Sequence, residues 1–282
     1  MTATPTQEMI SRTPADLHIK ARDRKFGLAE VLGRDWHSND AFKTAFFNAL
    51  SIQFPTGERF FIESVRHFAP EITNPKLAED VKGFTHQEAV HSREHKVYNK
   101  ALCRARGYDL EELEGPFRER LKWIKDNSAP LTRLTATVAF EHLTAILADG
   151  ILKNEDWLAG SDPDMAQVWR WHSIEEVEHK SVTWDVYQAM GGDAKRVRKA
   201  LRAVTGQFFA DTFRNMRIML RDHEGSKTRL WLGGANFLFG TTGILRKLIP
   251  AYFSFFAADF HPWKHDNRDL LENAIALYGA PA

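Results

Sequence analysis

One cysteine in 282 residues, Cys103, leaves no internal disulfide and no thiolate cluster for a cysteine-rich zinc site. Charge of one sign is missing too: 38 Lys and Arg face 37 Asp and Glu, so no global field draws the chain to nucleic acid or an acidic substrate. No strand alternation or hairpin turn competes with the helical spacing found along the chain. The opening "MTATPTQEMISRTPADLHIKARDRKFG" lacks an apolar core of signal-peptide length. The most apolar stretch, 230–263, meets Arg246 and Lys247 too early for a full membrane span. We therefore expect a cytoplasmic all-α protein in a reducing compartment, with residues 1–36 as a loosely ordered lead-in. The 230–263 stretch reads as a helix packed in the core or lining a pocket. A membrane contact by 230–260, peripheral to the bilayer, is the lesser reading.

What is present is helix punctuation. Residues 37–53 have helical apolar spacing, and Pro55 predicts a break and a restart as "PTGERFFIESVRHF". Asn74 and Pro75 open a long second helix that Gly107 ends. Residues 108–129 read as a connector with a short helix at 116–127, and a third long helix starts near Pro130. Asp162 and Pro163 open a fourth, expected to run unbroken to Gly191, and a fifth covers roughly 193–223. The expectation is one helical domain over 37–282: a four-helix bundle at about 39–191 with about six long helices in all, and additional C-terminal helices over 193–282.

Two of these helices carry the same pattern. Glu88 and His91 lie three apart in "QEAVH", and Glu176 and His179 lie three apart in "EEVEH", so each pair points to one side of its helix. The helix before each supplies one glutamate, Glu58 in "PTGERFF" and Glu141 in "AFEHLTA", at gaps of 30 and 35 residues. In a bundle this order brings four carboxylates and two imidazoles to one centre, the ferritin-like dinuclear pattern. Two divalent ions would balance four carboxylate charges, and oxygen and nitrogen donors without thiolate suit iron or manganese, with zinc possible. Without metal, four converging carboxylates would repel and lose solvation. A solvated face of ion pairs is the plainer explanation of such residues, but the apolar neighbours of Glu141 do not suit it. His95 and His172 fall on the same faces as the motifs, each an additional ligand or a hydrogen-bonding support. Glu175 rivals Glu176.

The motifs "FPTGERFF", "QEAVHSREH", "FEHLTA", "WHSIEEVEHK" and "FHPW" are similar to those of a bacterial family of predicted metal-dependent hydrolases, over about residues 40–265. The resemblance implies metal dependence and hydrolysis. The ligand order also resembles ferritin-like di-iron carboxylate proteins, whose usual chemistry is oxygen activation. The leading expectation is a di-iron oxidase or oxygenase acting on a small hydrophobic substrate, with an electron donor as partner. The alternative is hydrolysis by a metal-bridged hydroxide; a third is a non-enzymatic storage or binding bundle. Substrate and homo-oligomer formation stay open, and no nucleic acid is expected.

Overall fold

A computed structural model describes residues 10–279. Residues 1–9 and 280–282, where the expected lead-in begins and the C-terminal helices end, lie outside the described residues. The described chain is all-helical, with ten α-helices: α1 (Ala41–Arg66), α2 (Pro75–Arg106), α3 (Leu110–Asn127), α4 (Pro130–Lys153), α5 (Pro163–His179), α6 (Val182–Ala189), α7 (Ala194–Met219), α8 (Lys227–Phe239), α9 (Ile244–Ser254) and α10 (Arg268–Tyr278). The punctuation residues act as read. Asn74 accepts from Leu77 N and Asp162 from Asp164 N, each followed by proline, while Gly107 closes α2 at φ 70.

Pro55 does not break α1. Its ring removes the donor for the Ser51 carbonyl, and Asn99 Nδ2 on α2 donates there instead at 2.9 Å. Pro116 likewise sits inside α3, which is longer than the expected connector helix. The carbonyl it frees, Glu112 O, accepts from Arg214 of α7 at 2.6 Å. The fourth long helix, in contrast, is two. The chain turns at Lys180 and Ser181 immediately after His179, and the Lys180 ammonium is tied to His265 O and Asn267 Oδ1.

Helices α1 and α2 pack together, as do α4 and α5, and α1–α4 and α2–α5 contacts close the four into a ring. Two grooves of that ring are covered from outside, by different means. Helix α7 packs on α1 and α4, and α9 adds to it along α4. On the other side, residues 10–36 run across α2 and α5 with no α-helix. Where the sequence suggests a lead-in, this strap is pinned: Arg22 forks onto Glu178, Trp171 Nε1 donates to Arg22 O, and Ile19, Leu28 and Leu32 are buried. Gly83 makes the close approach possible, since a Cβ there would stand 2.4 Å from Ile19 O.

Helix α4 is the one described helix long and apolar enough to cross a membrane, but 78% of its apolar window is buried among its neighbours. The 230–263 stretch forms α8 and α9, of 13 and 11 residues. Leu245, Leu248 and Tyr252 line an apolar cavity open to the surface, with the exposed Phe239 and Ile249 at its edge, and Leu232 and Phe253 are exposed as well.

Candidate metal centre

Helical spacing places the six expected ligands at one level of the ring: Glu58 from α1, Glu88 and His91 from α2, Glu141 from α4, Glu176 and His179 from α5. All six are buried, at 3% exposure or less. His179 Nε2 lies 3.2 Å from Glu88, 3.5 Å from Glu141 and 3.6 Å from Glu176. His91 Nδ1 lies 3.5 Å from Glu88 and 3.7 Å from Glu176. Glu58, Glu88 and His91 offer one compact donor group, and Glu88, Glu176 and His179 another.

These atoms are close together and yet unpaired. Both carboxylate oxygens of Glu58, Glu88 and Glu141, together with Glu176 Oε2, His91 Nδ1 and His179 Nε2, have no hydrogen-bond partner. Burying so many polar atoms without partners is costly, and a cation among them removes the cost. The donor set therefore fits divalent metal.

The outward atoms, in contrast, are fixed. His91 Nε2–H donates to Glu175 Oε2 at 3.0 Å, which leaves Nδ1 free toward the centre. Gln87 Nε2 donates to Glu178, so Gln87 Oε1 accepts from His179 Nδ1–H at 2.9 Å and leaves Nε2 free. Glu175 also accepts from Arg22 N at 2.6 Å. With both oxygens engaged it orients His91 and does not compete with Glu176. Sequence reasoning did not find Gln87 or Arg22: glutamine beside a motif carries no signal, and the strap's contact with α5 is long-range.

His95 and His172 lie side by side beneath Phe54. Asn99 Nδ2 donates to Ser51 O, so Asn99 Oδ1 accepts the single Ser51 hydroxyl proton, at 2.7 Å. Ser51 Oγ must then accept from His95 Nδ1–H at 2.8 Å, and His95 Nε2 from His172 Nδ1–H at 2.9 Å. His95 thus uses both nitrogens as a support. The chain leaves His172 Nε2 without a proton, 3.1 Å from Glu176 Oε1 and beside His91. Burial, with the neighbouring imidazoles, holds both pKa values below the ordinary histidine range, well below for His95.

Without metal, burial and then the charge of Glu88 push the Glu58 carboxyl well above the usual range, and burial with Glu88 and Glu176 does the same to Glu141. Burial disfavours charge on His91, but the carboxylates of Glu175 and Glu88 prevail and hold its pKa well above the usual value. The "FHPW" motif lies apart from these groups in its contacts: His261 pairs with Asp185 of α6 at 2.9 Å.

Fold and donor cluster together define a helical metal-dependent protein. A family model for predicted metal-dependent hydrolases matches residues 20–266, and the chain belongs to that family. No curated protein and no solved structure gives a significant match. The family match overturns the leading expectation of a dioxygen-activating oxidase: the activity attached to it is hydrolysis, the alternative weighed from the sequence.

Proposed function

We propose that the protein is a hydrolase of small carbonyl substrates that uses two divalent ions. Glu58, Glu88, His91, Glu141, Glu176 and His179 would hold them. The observation that supports this most strongly is the set of inward atoms, one or more on each of the six residues, that are buried without a hydrogen-bond partner. Manganese, zinc and ferrous iron all suit such donors. Bound ions of this kind supply Lewis acidity and acidify a water into the neutral range.

The chain's own groups set where the substrate reacts. A small cavity of about 20 Å³ lies on the α1/α4 side of the centre, where Phe54, Phe61, Phe117, Phe140 and Phe208 keep out bulk water. Its ionisable groups are Glu58, Glu176 and His172. His172 Nε2, unprotonated and backed by His95, accepts a proton from the attacking water. The imidazolium so formed gains a hydrogen bond to Glu176 Oε1 and passes the proton to the leaving group.

The test is metal-free protein reloaded with zinc or manganese and assayed for amide and ester hydrolysis under anaerobic conditions. Turnover without oxygen is expected; a strict oxygen requirement would overturn the reading. His172→Gln should lower turnover by about 10²- to 10⁴-fold at unchanged metal stoichiometry. Loss of metal alongside activity would make His172 a ligand instead.

A further inference from the structure

A second, larger cavity of about 370 Å³ lies between α1, α4, α7 and α9, within the size range of small-molecule sites. It is lined by Phe46, Leu50, Leu147, Phe209, Leu248 and Tyr252 among others, and no charged residue faces it. Phe208 belongs to this lining and to that of the small cavity at the metal centre, so one ring stands between the two. Along α1, Phe46, Leu50, Gln53 and Gly57 follow one stripe from the larger cavity to the smaller.

Gln53 is the polar exception on that stripe. Thr212 Oγ1 donates to Phe208 O at 2.8 Å, so it accepts from Gln53 Nε2, also at 2.8 Å. The amide orientation is thereby fixed. Gln53 Oε1 is left without a partner on a side chain that is 2% exposed and lines the small cavity. A buried acceptor of this kind needs a donor.

From this arrangement we infer that the substrate is an amide with an apolar chain: the chain fills the larger cavity and the amide N–H donates to Gln53 Oε1. The inference rests on the hydrolase reading, because among hydrolysable acyl compounds an amide carries a donor on the bond to be cut and an ester does not. Water adds across the C–N bond, the hydroxyl going to the carbonyl carbon and the proton to nitrogen, to give a carboxylic acid and an amine.

The probes are dodecanamide, methyl dodecanoate and acetamide, titrated into the zinc-loaded protein with tryptophan fluorescence as the readout. Dodecanamide should bind at least about tenfold more tightly than either of the others. Gln53→Met should abolish the preference for amide over ester, and Leu147→Trp should weaken dodecanamide about tenfold at unchanged metal content. Equal affinity for amide and ester would overturn the role of Gln53, and no gain of dodecanamide over acetamide would overturn the chain site. Selective binding without any hydrolysis would strike the hydrolase reading and leave the ligand class standing.

Discussion

The wall of the metal centre built by α2 and α5 is held by charge and hydrogen bonds, whereas the wall built by α1 and α4 is held by phenylalanine. On the first, His91 and His179 each spend their outer nitrogen on a fixed partner, and those partners are tied in turn to Arg22 of the strap. On the second, Glu58 and Glu141 have no hydrogen-bond partner, and Glu58 lines its cavity together with Phe61, Phe117, Phe140 and Phe208. The division follows the chemistry of the donors. An imidazole ligand needs its tautomer and ring orientation set from behind, and a polar wall does that. A carboxylate has two equivalent oxygens and needs no such setting, so its wall is free to be apolar and to receive a substrate.

Removing a donor should erase the centre from either wall. Glu141→Ala and Glu176→Ala should each abolish stoichiometric metal binding, read by elemental analysis of the dialysed protein. The stabilisation that metal gives the parent, about 4 kcal/mol at a thousandfold excess over Kd, should vanish from thermal melts. Retained binding in either variant would remove that residue from the set. Next in size, Arg22→Ala leaves the buried Glu178 and Glu175 without their cation, a loss of about 3–5 kcal/mol in chemical denaturation. Because Glu178 holds Gln87, which orients His179, metal affinity should also drop about 10- to 100-fold. Phe208→Ala on the opposite wall should cost about 3 kcal/mol through the space it opens, with metal affinity unchanged in a chelator competition. If the two variants perturb metal affinity alike, the walls do not divide the labour as described.

How much of this was legible differs by element. The Glu-x-x-His pairs and their partner glutamates could be read because a helix turns every third or fourth residue to one side, and Asn74–Pro75 and Asp162–Pro163 mark where two of those helices begin. Continuity through Pro55 and Pro116 could not, since the donors that replace the lost hydrogen bonds, Asn99 and Arg214, come from other helices. The turn after His179 has no glycine or proline to announce it. The strap was hidden for a related reason: Arg22 and Asp23 look solvated in sequence, and only the fold brings Glu178 and Arg93 to them. Periodicity could not separate Glu175 from Glu176, which lie within one turn of His179; that choice needed Arg22 and His91 in place.

The smallest expected effect is a divergence with pH between metal-free and loaded protein, and it tests whether the unpaired carboxylates of the apolar wall are metal ligands at all. In the metal-free protein Glu58 and Glu141 keep their protons above the usual carboxylate range, where the unfolded chain has lost them. The folded state then binds more protons, so these two groups make stability fall as pH rises. His91 acts in the same sense. Its raised pKa gives stability that is complete below the ordinary histidine value and is lost as pH climbs through the folded one. Glu176, which burial pushes up but the neighbouring His179 holds well below the usual range, matters only on the acid side, where its contribution is lost as pH falls. Between about pH 6 and 8 Glu58, Glu141 and His91 therefore weaken the metal-free protein with rising pH. His95 and His172, held low by burial, and Lys180, lowered by burial to about 7, act in the opposite sense in both the metal-free and the loaded protein. Metal requires the ligands deprotonated, so the loaded protein should gain stability over the same interval. Denaturation midpoints measured with chelator and with zinc across that interval should diverge as pH rises, and parallel curves would mean that no metal displaces those protons.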